Sequence, residues 1–165
     1  MKTTRNLLII VVTLMLFALV SCHSDNDDDA TSPSTILDVS GLWNFVGQLV
    51  QDACGMNASA GGFNGTFQFN QSGTTVTTPR IDMTVGGTGL YFYYSGTVSG
   101  KNVSLAALDP YVFTSGSQVI HLGSGIDIQN IENNVGQGTL NLTGQIVQGG
   151  TGSCQTIWNG TWTKQ

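Results

Sequence analysis

Residues 63–78, FNGTFQFNQSGTTVTT, carry the clearest signal of the fold. Phe63, Phe67 and Phe69 fall on one side of an extended chain, and the polar residues between them fall on the other. Because successive side chains of a β-strand point to opposite faces, this period of two predicts a strand with one buried face. Gln71-Ser72-Gly73 then supplies a turn, and a second extended run follows.

The same alternation continues along the chain, and after the N-terminus no segment has the apolar spacing of a helix. Asp109-Pro110 ends one run, because proline cannot continue a hydrogen-bonded ladder. We predict an all-β fold, an antiparallel meander that is barrel-like because closure removes open edges, with a β-sandwich as the alternative. About eight strands are predicted, near residues 42–51, 63–71, 74–85, 89–99, 102–108, 117–130, 137–147 and 155–164.

The N-terminal segment has the layout of an export signal. Lys2 and Arg5 precede an almost wholly apolar run, Leu7 to Val20. This run is shorter than the ~20 residues that a membrane-spanning helix needs. It matches the hydrophobic region of a secretory signal, so we predict a signal helix in residues 1–21 rather than a membrane anchor or a core helix.

The end of that segment, Leu19-Val20-Ser21-Cys22, resembles the lipobox of bacterial lipoproteins. The resemblance implies that the Cys22 thiol carries a diacylglycerol and that its amine, freed by cleavage, is acylated as well. Several acyl chains on one cysteine are enough for stable anchoring without a transmembrane helix. The protein would then be an exported lipoprotein.

The acidic run that follows, SDNDDD at residues 24–29, resembles the export signal of surface lipoproteins of the Bacteroidetes. Together with His23 beside the cysteine, the resemblance implies an outer-membrane location with the domain on the cell surface, a periplasm-facing orientation being the alternative. Residues 22–35 are acidic and then rich in Ser, Thr and Pro, which predicts a solvated tether. Residues 36–165 remain as a single domain.

Charge excludes one class of partner. After the signal segment the chain keeps three basic residues, Arg80, Lys101 and Lys164, beside all ten acidic ones. A nucleic-acid partner requires a clustered basic face, so we expect none.

Three cysteines leave one unpaired in an exported chain. With Cys22 assigned to the lipid anchor, Cys54 and Cys154 remain, 100 positions apart in an oxidising compartment. We therefore predict a disulfide between them. The alternative is two free thiols that act as metal ligands or as a nucleophile, although neither cysteine has a His or acid near it at ligand spacing.

Catalytic chemistry has little support in the sequence. His23 lies in the tether and His121 on a predicted strand, and no His, Asp and Glu cluster has ligand spacing. A nucleophile-elbow motif is also missing from the sequence. We therefore expect no enzyme, no catalytic residue, no metal and no cofactor.

Aromatic residues mark the two ends of the domain and its middle. Gly41 and Trp43 in SGLWNF, with the final strand IWNGTWTKQ, resemble the calycin group of lipocalins and avidins. That resemblance implies a barrel able to hold a ligand, and eight strands can just enclose a small one. We predict a binding module for a small apolar ligand, a surface protein or a glycan, with a structural or interaction lipoprotein without a pocket as the alternative. The ligand-binding residues predicted are Trp43, Phe67, Phe92 and Tyr94.

The run Leu90 to Tyr94 breaks the simple alternation, because all its residues are apolar or aromatic. Phe92 and Tyr94 face one way in a strand, and Tyr91 and Tyr93 face the other. One pair must therefore face solvent, a ligand or a partner. The outward pair is either ordinary strand surface or an exposed stripe for sugar or protein.

Overall fold

The computed structural model describes residues 35–55 and 62–165. The predicted signal helix, Cys22 and the tether up to residue 34 lie outside these ranges. Within them, no helix is long and apolar enough to cross a membrane. The described chain forms β1 (Gly41–Asp52), β2 (Gly62–Ser72), β3 (Thr75–Thr77), β4 (Ile81–Val85), β5 (Thr88–Phe92), β6 (Tyr94–Ser99), β7 (Asn102–Ala107), β8 (Tyr111–Ser115), β9 (Gln118–Glu132), β10 (Val135–Gln148) and β11 (Ser153–Lys164).

Nine of these strands form one antiparallel sheet whose hydrogen bonds run in a ring. The order is β10-β11-β1-β2-β3-β6-β7-β9-β8, and a further pairing of β9 with β10 connects eight strands into the ring. β8 pairs with the first third of β9, while β4 and β5 pair only with each other. The predicted fold class, an all-β antiparallel meander with a barrel-like arrangement, is confirmed.

Two predicted strands are each divided in the structure. The predicted strand 74–85 becomes β3 and β4, because Pro79 cannot donate to a ladder. The predicted strand 89–99 becomes β5 and β6, with Tyr93 between them. Thr78 and Tyr94 mark the branch point, where the Thr78 N–H donates to the Tyr94 carbonyl at 3.0 Å and the Tyr94 N–H donates to Thr78 Oγ1 at 3.0 Å. Beyond this point β4 and β5 leave the ring together as a hairpin.

The hairpin turns at Gly86-Gly87, whose φ angles of 57° and 79° lie in the region that favours glycine. One face of the hairpin is buried and carries Ile81, Met83, Val85, Leu90 and Phe92. The β4–β5 hairpin therefore packs on the core. β8 is a strand that the sequence pattern did not predict, since the run that ends at Asp109-Pro110 resumes at once at Tyr111.

Aromatic side chains fill the interior of the ring. The ring centroids of Phe45 and Trp162 are 4.5 Å apart, those of Phe67 and Trp162 are 5.0 Å apart, and those of Trp43 and Phe69 are 6.0 Å apart. All five are at most 1% exposed. Burying side chains of this size is the main favourable contribution to the stability of the fold, at about 1.5–3 kcal/mol each.

Close backbone approach lets the sheet coil around this core. Gly160 of β11 pairs with Gly47 of β1 and with Gly138 of β10. A Cβ atom on Gly160 would lie only 2.1 Å from the Val46 carbonyl oxygen, so only glycine fits there. Glycine at such positions permits the sharp bend that a ring of few strands requires.

The predicted disulfide between Cys54 and Cys154 is confirmed by the structure. It joins the end of β1 to the start of β11, with a Cα–Cα distance of 4.8 Å. Beside it the Ala53 N–H donates to the Gln155 carbonyl at 2.9 Å, which extends the β1–β11 pairing by one step. The bond closes a sequence separation of 100 residues, and this is what makes it valuable for stability in the loop-entropy model.

Candidate functional site

The four residues predicted to bind a ligand all lie in the packed interior. Trp43, Phe67, Phe92 and Tyr94 are at most 1% exposed. The Trp43 Nε1–H donates to the Val39 carbonyl at 2.8 Å, which ties the strand to the segment before it. These four residues contact other side chains of the protein, as core residues do. That they bind a ligand stays a prediction.

The buried hydroxyl of Tyr94 belongs to a polar network. Its hydroxyl lies 2.8 Å from Ser124 Oγ, and Ser124 Oγ donates to the Asn141 carbonyl at 2.8 Å. Burial raises the pKa of Tyr94 well above its ordinary value, so the phenol is neutral at physiological pH. The arrangement suits a structural anchor between β6, β9 and β10.

Trp162 presents a contrast to Trp43. Its Nε1 is buried and has no hydrogen-bond partner among the described residues. The rings of Phe45, Phe67 and Phe69 surround the indole at 4.5–6.2 Å between centroids. Such rings offer at most a weak N–H···π contact.

One surface cleft lies where two neighbouring chain segments separate. The β6–β7 pairing extends one step further, as the Leu108 N–H donates to the Tyr93 carbonyl at 2.8 Å. After Pro110 the chain turns away as β8 to pair with β9, whereas β5 pairs with β4. The resulting opening, of about 500 Å³, we call the tyrosine cleft; its walls are Tyr91, Phe92, Tyr93, Asp109, Pro110, Tyr111 and Val112.

Alternation in the run 90–94 explains why tyrosines line this cleft. Phe92 and Tyr94 point into the core, so Tyr91 and Tyr93 point outward and are 43% and 45% exposed. Tyr111 of β8 meets Tyr91 edge to face, with the ring centroids 5.4 Å apart and an interplanar angle of 89°. Sequence reasoning found Tyr91 and Tyr93 but not Tyr111, because only the tertiary fold brings β8 beside β5.

Arg80 completes one side of the site. Its guanidinium lies 4.3 Å from the centroid of the Tyr91 ring, a cation–π geometry. It also donates to Asp82 Oδ1 through Nε at 2.9 Å and through Nη2 at 2.7 Å. The hydrogen bond to Asp82 raises the pKa of Arg80, so the charge is permanent and is already paired. No pattern in the sequence indicates this role of Arg80.

A second cleft, of about 450 Å³, adjoins the first. It shares Tyr91 and Tyr111 with the tyrosine cleft and is otherwise lined by Arg80, Asp82, Met83, Thr84, Gly89 and Leu90. The two clefts are therefore adjacent and share the Tyr91–Tyr111 ring pair. This arrangement offers a ligand two neighbouring openings with aromatic walls.

Two further openings lie elsewhere. One of about 240 Å³ lies between the Gly86-Gly87 turn and Phe63 and Trp158. The other, of about 330 Å³, is a polar groove on β9, β10 and β11 that includes Asp127, Gln137 and Asn159. Neither opening brings together exposed aromatic rings.

Metal-ligating side chains do not gather in the part of the chain that the structure describes. In residues 35–55 and 62–165 no three His, Cys, Asp or Glu side chains are placed to hold an ion. His121 is half-buried on β9, between Val112 of β8 and Gln145 of β10 in the pairing.

Comparison with known proteins adds no relative to this description. No protein-family model matches the chain, and neither the curated proteins nor the solved structures include a match.

Proposed function

We propose that the protein is an exported lipoprotein, anchored to the outer membrane through Cys22, whose barrel-like domain is a binding module on the cell surface. The observation that carries the binding role is the tyrosine cleft. Three tyrosines line an open surface whose backbone is fixed by the core on one side and by the β8–β9 pairing on the other, and two of their rings, Tyr91 and Tyr111, are in contact. Preformed clefts with aromatic walls and a few polar groups are typical of binding sites.

The cleft is a better binding surface than the interior. The aromatic core already occupies the space that an enclosed ligand would need, with rings packed at 4.5–6.2 Å between centroids. A ligand among Trp43, Phe67, Phe92 and Tyr94 would have to displace these contacts. Binding at the cleft requires no such rearrangement.

We propose binding rather than catalysis at this site. The carboxylate beside the rings, Asp82, already accepts two hydrogen bonds from Arg80. Asp109 on the other wall lies at an exposed bend, and no second acid or histidine is among the described residues that line this cleft.

The filled interior favours a second candidate function, a structural or interaction lipoprotein without a ligand pocket. The two candidates differ at the cleft. Native mass spectrometry of the full lipoprotein, extracted gently from its own cells, should detect a bound species in the first case. The species should be absent from the Tyr91→Ala, Tyr93→Ala double variant and present in a matched control, Val46→Ala, Val50→Ala, which truncates exposed apolar residues on β1.

Outcomes of that experiment separate the candidates. Bare protein from wild-type cells would favour the structural role. A species that survives the double tyrosine substitution would contradict binding at the cleft and favour an interior site.

The anchor has its own test. Cys22→Ser should abolish labelling by a fatty-acid analogue and release the protein from the membrane fraction, because a single signal or none cannot hold it there. Replacing Asp27, Asp28 and Asp29 by Asn tests the surface location through protease access on whole cells. Labelling that persists in Cys22→Ser would reject the anchor, and unchanged protease access would reject the export signal.

A further inference from the structure

We propose that the tyrosine cleft binds an uncharged, extended glycan, and that Tyr93 is the ring against which a sugar stacks. This inference rests on the binding role proposed above and names the ligand class of the same site. Ring availability, charge and shape each support it.

Ring availability distinguishes Tyr93 from its neighbours. The Tyr91 ring already carries the Arg80 guanidinium and the contact with Tyr111. The ring of Tyr93 is 45% exposed and makes no ring–ring contact within the described residues. Its main chain is held by the Leu108 hydrogen bond, so the ring is presented on a fixed support. A tyrosine offers an apolar face and a hydroxyl, which match the C–H face and the hydroxyl groups of a sugar ring.

Charge points to a neutral ligand. Arg80 is the cation at this surface, and Asp82 already pairs with it at 2.7 Å. The carboxylate of Asp109 has no hydrogen-bond partner among the described residues and is free to accept hydroxyl groups. A phosphate, sulfate or uronate would meet this carboxylate, and the residues that the structure places around the two clefts include no free cation to offset the repulsion. The hydroxyl groups of an uncharged polyol can instead donate to this carboxylate and form hydrogen bonds with the tyrosine hydroxyls.

Shape points to an extended chain. The two openings of about 500 and 450 Å³ share Tyr91 and Tyr111 and are both open to solvent. A compact apolar ligand is normally buried over about 70–90% of its surface, which an open trough does not achieve. A protein partner would usually contact about 20–30 residues. Seven and eight residues line the two clefts, with two shared, a footprint better suited to a few sugar units.

Affinity electrophoresis of the full lipoprotein in mild detergent tests the proposal. The gels contain neutral polysaccharides built from glucose, mannose, galactose, xylose, fructose or N-acetylglucosamine, and in separate lanes polygalacturonate and heparin. The variants are Tyr93→Ala, Tyr93→Phe and the control Val46→Ala. Unfolding curves of all variants verify that each is folded.

We expect at least one neutral polysaccharide to retard the wild-type protein. Tyr93→Ala should weaken its binding roughly 10-fold, because the stacking contact is lost. Tyr93→Phe keeps the ring and should remain within about 3-fold of wild type, equivalent to less than ~0.7 kcal/mol. Val46→Ala should not change retardation.

Each of the following outcomes contradicts a stated part of the proposal. No retardation by any neutral polysaccharide overturns the glycan inference. Retardation only by the anionic polymers overturns the assignment of an uncharged ligand. In a parallel cross-linking experiment on whole cells, a protein captured in a Tyr93-dependent way, without polysaccharide binding, overturns the glycan inference and leaves the binding module standing. If Tyr93→Ala alters neither readout and the native mass spectra are of bare protein, the proposed function falls as well.

Discussion

Two buried tryptophans that differ in one hydrogen bond give a sharp prediction about stability. Trp43 and Trp162 are both 0% exposed and sit in the same aromatic core. The Nε1–H of Trp43 donates to the Val39 carbonyl at 2.8 Å, whereas Nε1 of Trp162 has no partner among the described residues. Replacing either tryptophan by Phe removes the same atoms. At Trp43 the substitution also removes a hydrogen bond, whereas at Trp162 it removes a buried donor that has no partner among the described residues.

The expected difference follows from those terms. Trp43→Phe leaves the carbonyl of Val39, itself 0% exposed, without this donor, which costs about 1–3 kcal/mol beyond the cavity. Trp162→Phe removes a buried donor that lacks a partner, so a penalty of about 1–3 kcal/mol is relieved, less ~0.5 kcal/mol for lost N–H···π contact. With similar cavity costs, Trp43→Phe should lower the free energy of unfolding by about 2–5 kcal/mol more than Trp162→Phe.

Urea unfolding with the disulfide intact provides the assay. Linear extrapolation gives the free energy of unfolding in water, and equal slopes for the two variants verify that they unfold from comparable states. The wild-type protein and a Leu140→Val variant, a small truncation without hydrogen bonds, calibrate the cavity cost. Equal losses of unfolding free energy for the two tryptophan variants, or a larger loss for Trp162→Phe, would contradict this prediction.

Three further predictions concern the disulfide, a buried phenol and a glycine. The Cys54→Ala, Cys154→Ala variant should lose up to about 4.7 kcal/mol of unfolding free energy, and reductant added to wild-type protein should reproduce the shift in urea midpoint. Because burial raises the pKa of Tyr94, the unfolded chain loses this proton first, so stability should fall as the pH rises above about 10; Tyr94→Phe should remove that part of the slope in pH-dependent unfolding. Gly160→Ala should cost about 1–3 kcal/mol or more in thermal or urea unfolding, whereas Gly89→Ala, where a Cβ meets nothing within 4 Å, should stay within about 0.5 kcal/mol of wild type. An unchanged midpoint, an unchanged alkaline slope and an equal loss for the two glycine variants would contradict the three predictions respectively.

The sequence predicts the sheet well, because burying one face of a strand places apolar residues at every second position. Phe67 and Phe69 enter the core as their alternation predicts, and Cys54 finds Cys154 as the count of cysteines predicts. Strand ends are harder to predict, because they depend on which strand lies alongside. Pro79 divides one predicted strand, whereas after Pro110 a new strand begins directly, since β9 is long enough to offer β8 a partner.

The sequence predicts only part of the candidate site, again because the site depends on which strands lie alongside one another. Alternation identifies Tyr91 and Tyr93 as one face of a strand. It carries no information about Tyr111 or Arg80, which reach the site through the β8–β9 pairing and the β4–β5 hairpin. Alternation separates the two pairs as the structure does: Phe92 and Tyr94, which are predicted to bind a ligand, are buried, and Tyr91 and Tyr93 are exposed.

Residues 92–94 connect the core to the tyrosine cleft, because Phe92 and Tyr94 point inward and Tyr93 points outward. Phe92 and Tyr94 fix the backbone from inside, Tyr94 through Ser124 and Asn141, while Tyr93 stands between them on the outer side. β4, β5 and β8 lie outside the ring, and β5 and β8 each have one edge without a ladder partner within the described residues. Such unpaired edges would weaken the sheet at this opening. Anchoring the two inward aromatic residues keeps this opening in a fixed shape. A preorganised opening loses less conformational freedom on binding, so under the proposed function the burial of Phe92 and Tyr94 makes Tyr93 a better platform for a ligand.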